Sequence, residues 1–375
     1  MKVYVQIVCA CVFAMTCCGN HIVGYKTEVS GGKTNIVTVS VKEDKMDETR
    51  APKLGEEIVA PRVARPKLHI AELLSYVTVR LSCVRTDGRA LGTGFFYDIP
   101  HVMDEKLHIP VIVSNRHVVK DVVETIITLT LANDNFPTPN VYTVRINNRD
   151  FPWLGHPDVS VDLSVLPIAP VLRYMQERGK TPFFFALNSS FVPDDDYLKS
   201  VTQTDEVIMI GYPGGLWDDV NNQPIFRKGI LATSPCKSFG GRKEFLIDMP
   251  VFCGSSGSPV LLFSEGSFLD RRRGEGLNSI ALGTRLKLLG INYATITSTV
   301  TGKVVPVPVP TVAEDNEVET NDRQVVVGQR FSLEAKMGIP NNIGIIINAS
   351  CLKEIEEMFA KILRNLPTGD RVGHP

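Results

Sequence analysis

The chain has 375 residues, 43% of them hydrophobic, 22% charged and 7% aromatic, a globular composition that excludes wholesale disorder, collagen and coiled coil. Forty Lys and Arg against forty-one Asp and Glu leave a formal charge of -1, so no global field draws in phosphate backbones and nucleic acid is not an expected partner. At roughly 100–200 residues per domain, the length fits two domains or one large all-β unit with extensions.

Near the start, Lys2 is followed by the apolar run VYVQIVCACVFAM, from Val3 to Met15. That run falls short of the about 20 residues of a membrane span and has the pattern of a secretory signal, placed at 1–18. Export to a periplasm, cell envelope or extracellular space is therefore expected. Cys17-Cys18-Gly19-Asn20 resembles the cleavage region of a lipoprotein, although Ala14, Met15 and Thr16 fit that pattern poorly. A lipid anchor there is the alternative to a cleaved signal, and the only membrane contact expected. Residues 19–71 are polar and aperiodic and read as a spacer.

From there the text is dominated by short β-type runs. SYVTVRLSCV (75–84), LGTGFFYDI (91–99), PVIVSNRHVV (110–119), ETIITLTLA (124–132), VYTVRI (141–146) and VDLSVLPI (161–168) make one series. After a short helix over PVLRYMQERG (170–179) comes a second series: EVIMIGYPGG (206–215), IFRKGILAT (225–233), EFLIDMPVF (244–252), SPVLLF (258–263), RLKLLGINYATI (285–296) and NIGIIINA (342–349). Strands at this spacing, punctuated by Gly, Pro, Asn and Asp, predict an antiparallel barrel or sandwich. SEGSFLDRRRGEGLNS (264–279) reads as a charged loop. The stretch 297–338, with VPVPVP and the acidic AEDNEVETND, reads as an extended, exposed insertion, since alternate prolines cannot serve a central strand. SCLKEIEEMFAKILRNL (350–366) has apolar residues at helical spacing behind Ser350 as N-cap, and 367–375 is a tail.

Four of the eight cysteines lie in or beside the signal. Cys83, Cys236, Cys253 and Cys351 remain; none has C-x-x-C or Cys/His spacing, so no metal site is expected. Export permits disulfides but leaves three pairings open.

Three short stretches carry chemistry together: VSNRHVV around His117, DLSVLPI at Asp162 and GSSGSPV around Ser256. A serine hydroxyl is a poor nucleophile until a neutral imidazole removes its proton. A carboxylate on the far ring nitrogen fixes the tautomer and stabilises the imidazolium. Gly254, two residues before Ser256, lets the backbone aim N–H groups at a developing oxyanion.

These stretches resemble the trypsin-like (chymotrypsin-fold) serine peptidases, most closely the bacterial branch that includes the HtrA-type proteases. GTGFFYDIP leading into VIVSNRHVV resembles the hairpin presenting the catalytic His, and VDLSVLPI the segment with the Asp. MPVFCGSSGSPVLL resembles the nucleophile loop, LKLLGINYATI the strand lining the specificity pocket, and NIGIIINASCLKEIEEMF the last strand and closing helix. The likeness spans about residues 72–366, and the order His, Asp, Ser matches. It implies an all-β fold of two antiparallel six-stranded barrels, at about 72–169 and 200–349, closed by a helix over 350–366. It further implies Ser256 as nucleophile, His117 as general base then acid, and Asp162 orienting His117. The N–H groups of Gly254 and Ser256 would form the oxyanion hole, and an extended peptide would lie alongside Asn292, Tyr293 and Ala294. Such an enzyme, a serine endopeptidase acting on protein or peptide substrates, works through an acyl-enzyme with no cofactor and no metal.

Departures from the family are informative. Ser255 stands where digestive members have the Asp that pairs with a new N-terminus, Ser258 replaces a Gly, and Val118 replaces the Cys beside the His. No PDZ-like segment is recognised after the peptidase region, so oligomer-based regulation is not carried over. The pocket-floor position is Pro250, with Gly344 on the neighbouring wall leaving space, which predicts an uncharged P1 side chain, although Asp248 lies two residues away. His156 reads as a surface residue, and Trp153 and Trp217 as packing residues. An α/β-hydrolase esterase fails on order, because only His374 follows Ser256. A catalytically silent or partner-activated trypsin-fold scaffold is the remaining rival. Oligomeric state is not legible.

Overall fold

The computed structural model describes residues 68–102, 107–271, 279–303 and 334–364. The expected signal, most of the spacer, the VPVPVP and acidic stretches and the tail lie outside the described residues. The first element among the described residues is a short helix α1 (Ile70–Leu73), which begins two residues ahead of the expected start at 72.

The first sheet is built from β1 (Thr78–Arg85), β2 (Gly88–Pro100), β3 (His108–Ser114), β4 (Val122–Asn133), β5 (Phe136–Asn147), β6 (Leu154–Gly155) and β7 (Ser164–Pro167), with a one-turn helix α2 (Arg116–Val119) after β3. Helix α3 (Ala169–Gln176) follows, then the two-residue strands β8 (Pro182–Phe183) and β9 (Leu187–Asn188), and α4 (Asp195–Lys199). The strand order is β5-β4-β1-β2-β3-β7-β6, with β8 on β4 and β9 parallel to β2. This half therefore has nine strands and not the expected six, because the short β6, β8 and β9 carry too few residues to show a period in sequence.

The second half is the expected closed six-stranded barrel. Its strands are β10 (Glu206–Gly211), β11 (Ile225–Leu231), β12 (Glu244–Asp248), β13 (Pro259–Ser264), β16 (Arg285–Lys303) and β17 (Glu334–Asn348), in the order β10-β11-β12-β17-β16-β13. Between β13 and β16, β14 (Ser267–Asp270) pairs with β15 (Ser279–Leu282) within and just past the loop expected over 264–279, whose residues 272–278 lie outside the described residues. The expected insertion at 297–338 also begins and ends as paired strand. Residues 297–303 of β16 face 334–340 of β17 in an antiparallel ribbon, because the Thr/Val-rich sequence keeps its β pattern past the barrel. Helix α5 (Cys351–Arg364) closes the chain.

Alternation decides where the core sits. Phe95, Tyr97 and Ile99 of β2 point one way and join Val111 and Val113 of β3, Ile210, Leu261 and Leu288 of the barrel, and Leu352, Ile355 and Phe359 of α5. Phe96 and Ile112 point the other way, into a cluster with Leu81, Ile127 and Val144. Successive strand residues face opposite sides, so β2 and β3 are buried on both. One apolar cluster thereby spans both sheets and the closing helix. Among the described residues, no helix is long and apolar enough to cross a membrane.

Candidate active site

His117, Asp162 and Ser256 meet where the two halves touch. His117 sits in α2, the single turn after β3. Its backbone N–H donates to Asp162 Oδ1 at 2.9 Å, its Nδ1 lies 2.5 Å from Asp162 Oδ2, and its Nε2 lies 3.1 Å from Ser256 Oγ. One carboxylate thus holds both the main chain and the ring of the same residue. With the Nδ1 proton toward the carboxylate, Nε2 offers its lone pair to the serine hydroxyl.

Asp162 comes from an irregular loop that α2 itself ties down. The Asp162 carbonyl accepts from Asn115 Nδ2 at 2.9 Å and from the Arg116 N–H at 3.2 Å. The Arg116 guanidinium donates to Val159 O at 2.7 Å and His156 O at 3.0 Å. Room for it exists because residue 155 is glycine; a Cβ there would sit 3.2 Å from the guanidinium. Asn115 and Arg116 were not singled out in the sequence, where two polar residues ahead of His117 at a strand end were the available signal.

The loop carrying Ser256 depends on two left-handed glycines, Gly254 at φ 86° and Gly257 at φ 89°. A Cβ on Gly254 would lie 2.4 Å from the Tyr212 carbonyl, and one on Gly257 1.9 Å from the Thr93 carbonyl. The N–H of Gly214, in the Pro213–Gly215 turn after β10, donates to the Cys253 carbonyl at 2.5 Å. A trans peptide is planar with N–H opposite C=O, so this bond turns the Gly254 N–H away from that turn. Among the described residues neither the Gly254 nor the Ser256 N–H has a protein acceptor.

Thr93 of β2, a further residue that sequence reading missed, ties the first half to this loop. Its N–H donates to Ser256 O at 2.8 Å, its Oγ1 donates to Gly254 O at 2.9 Å and accepts the Tyr212 N–H at 3.1 Å, and its carbonyl accepts Ser114 Oγ at 2.7 Å. The side chain is fully buried. Its signal was the LGTGFF run, a hydroxyl between two glycines in an otherwise apolar strand.

The residues expected to line a substrate separate into two groups. Tyr293 stands at the cleft: its carbonyl lies 3.3 Å from Ser256 Oγ, and its hydroxyl donates to Glu244 Oε1 at 2.9 Å. Burial and the Glu244 carboxylate push that phenol up to about 12. Ala294 is half-buried beside it, opposite Ile345. The main chain of Asn292 is already occupied, donating to Ser258 O and accepting from Gly257 N–H, and its Nδ2 donates to Ser255 O; its backbone has no group left for a peptide. Pro250 is exposed and is not a pocket floor, because the buried alternation runs through Met249 and Val251. Gly344 leaves no empty space either; a Cβ there would meet Ile247, Val251 and Asn292 at 2.9–3.2 Å.

His156 corrects another expectation. It is buried, with Nδ1 accepting the Asp158 N–H at 3.1 Å and Nε2 3.1 Å from the Cys351 carbonyl. It thereby joins the Asp162 loop to the start of α5. Cys83, Cys236, Cys253 and Cys351 are free thiols, and burial pushes Cys351 up to about 11 and Cys83 to about 12. Among the described residues His156, Cys351 and Glu354 bring one potential metal-ligand atom each within 4.8 Å of one another. Both ring nitrogens of His156 are engaged, however, and Glu354 pairs with Lys243. Trp153 donates to Thr125 Oγ1, and Trp217 lies 3.9 Å under the Arg80 guanidinium, both in packing positions.

Residues 92–269, which include all three clustered side chains, match the family described as the trypsin-like peptidase domain. This segment is a trypsin-like peptidase domain. Solved structures similar to the chain include a serine endoprotease from Yersinia pestis, 15% identical over 76% of this chain and 64% of its own, with a TM-score of 0.37. The HtrA-type protease AlgW with tripeptide is 15% identical over 76% of this chain and 61% of its own, TM-score 0.36. The Rv3671c protease from M. tuberculosis in its active form is 14% identical over 78% and 83%, TM-score 0.35. The chain thus spans less than two thirds of the length of the first two. No curated protein sequence matches the chain.

Proposed function

We propose that the chain is a serine endopeptidase working through Ser256, His117 and Asp162. The observation that carries the reading is the unbroken run of contacts from Asp162 Oδ2 through the His117 ring to Ser256 Oγ, at 2.5 and 3.1 Å. His117 Nε2 takes the hydroxyl proton as Ser256 Oγ adds to the scissile carbonyl, while Asp162 stabilises the imidazolium. The carbonyl oxygen gains its charge against the unpaired N–H groups of Gly254 and Ser256. His117 then returns the proton to the leaving amine, and water, deprotonated by the same imidazole, releases the acyl group. Export through residues 1–18, with or without a lipid anchor, belongs to the same proposal.

The test is reaction of the purified full chain with a fluorophosphonate probe. The parent is expected to label, and Ser256→Ala and His117→Ala to abolish labelling, by about a thousandfold or more. A folded parent that does not label overturns the reading and leaves a silent or partner-dependent scaffold.

A further inference from the structure

Strand β16 is 19 residues long, and its two edges are treated differently along its length. One edge pairs with β17 from Gly290 to Lys303. The other edge pairs with β13 only as far as Ile291, and the Asn292 backbone is taken by Gly257 and Ser258. From Tyr293 outward, no described strand lies on that edge. The open edge starts at the Tyr293 carbonyl, 3.3 Å from Ser256 Oγ.

The register fixes which groups face outward. Pro340 stands opposite Thr297. A proline has no N–H to give a ladder and is accommodated where that group would point away from the partner. In such an antiparallel pair both residues turn their N–H and C=O outward, so Thr297 presents these groups to the open edge. With a period of two, Thr299 and Thr301 do the same. The path from Tyr293 to Thr301 is about 27 Å at ~3.4 Å per residue. One face of this ribbon is also apolar and uncovered: Val300 opposite Met337 and Ser298 opposite Ile339, with Val300, Met337 and Ile339 exposed by 45%, 62% and 42%.

We infer that this edge is a binding track for the segment of an unfolded polypeptide lying upstream of the scissile bond, paired as an added antiparallel strand along Tyr293 to Thr301 and reaching about nine residues back. The occupant is continuous with the cleft, which distinguishes it from a separate partner. The substrate class is then an extended or unfolded chain with long, β-competent sequence ahead of the cut. Amides of every second upstream residue donate to the strand, and side chains between them meet Val300 and Met337. The inference rests on the proposed peptidase reading for its direction, but its test does not require turnover.

Hydrogen exchange is measured on the full chain carrying Ser256→Ala, free and saturated with reduced, carboxymethylated α-lactalbumin. The amides of Thr297, Thr299 and Thr301 are expected to slow by about tenfold or more on binding. In parallel, a peptide that the parent cleaves is shortened from its N-terminus. Its kcat/KM is expected to fall about tenfold between nine and four upstream residues, and about tenfold when the seventh upstream amide is N-methylated but less than about twofold for the sixth. In Thr299→Pro the advantage of the long peptide over the short one should collapse to within about twofold. Probe labelling without exchange protection, or equal cleavage of short and long peptides, overturns the track and leaves the peptidase. Exchange protection without labelling keeps the track and removes the peptidase. Amides already slow in the free protein mean that the chain fills its own edge, which also overturns the inference.

Discussion

Thr93 makes the arrangement of the loop around Ser256 dependent on a residue 163 positions earlier in the chain. Its hydroxyl is shared between the Gly254 carbonyl and the Tyr212 N–H, with no exposure to water. Thr93→Val keeps the shape and strands both partners, at a cost of about 1–3 kcal/mol. Probe labelling of Ser256 is expected to slow by about tenfold or more, whereas Thr93→Ser should remain near the parent. Equal rates for parent and Thr93→Val would remove Thr93 as a positioning residue. Gly254→Ala is expected to be harsher, since it combines φ 86° with a collision against the Tyr212 carbonyl; a loss of about a hundredfold in labelling rate is expected. His117, Asp162, Ser256 and Gly254, which the fold brings together, could be picked out in the sequence because each proposed chemical role demands a particular residue type. Thr93, Asn115 and Arg116 were hidden because hydrogen bonds to main-chain carbonyls can come from many donors, and only the fold says which one is in reach. Pro250 failed for a different reason: a shift of one residue in an alternating segment exchanges inside for outside.

Among the elements, α5 was the most legible and carries an unusual pair. Cys351, Leu352, Ile355, Phe359 and Leu363 form its buried stripe, the helical spacing visible in sequence. At the margin of that stripe Glu356 Oε1 accepts from the buried Tyr97 hydroxyl at 2.7 Å. Burial raises the Glu356 carboxyl above its ordinary value, and the Tyr97 hydrogen bond and Lys353 offset this only in part. A raised folded value means that the native state holds the proton more tightly than the unfolded chain. The stability this contributes is complete at acid pH and is lost as pH rises through the folded value. Glu356→Gln retains the acceptor without the charge, so its Tm should match the parent near pH 4 and exceed it by about 1–3 °C at pH 8. A difference that does not change with pH would assign the effect to packing. The barrel strands were equally legible, since each is a short apolar or alternating run bounded by turn residues. The ribbon beyond Thr297 was not, because its proline-rich continuation masked a register that only pairing with β17 reveals.

For the molecule as a whole, each half has a buried cluster of its own, and the shared cluster of Phe95, Val111, Ile210, Leu288 and Phe359 couples the two. Unfolding should therefore be one transition. Trp153 lies in the first half and Trp217 in the second, and the chain has 2 tryptophans, so Trp153→Phe and Trp217→Phe variants each report on one half. Denaturant midpoints from the two are expected to coincide once corrected for each substitution. Phe359→Ala should lower both together, by about 3–5 kcal/mol. Separated midpoints would show two independently folding units.

The bond from the Gly214 N–H to the Cys253 carbonyl joins two main-chain groups. Being neutral, it offers nothing for salt to screen or for acid to discharge, unlike a latch built on an ion pair. It is also out of reach of most genetic change, since side-chain replacement alters neither partner; only a residue that refuses the glycine angles can spring it. On the proposed peptidase reading, a loop posture held this way is present as soon as the chain has folded. Restraint of such a peptidase would then have to come from where it is kept and from what can thread into its cleft, and not from a chemical event at the latch.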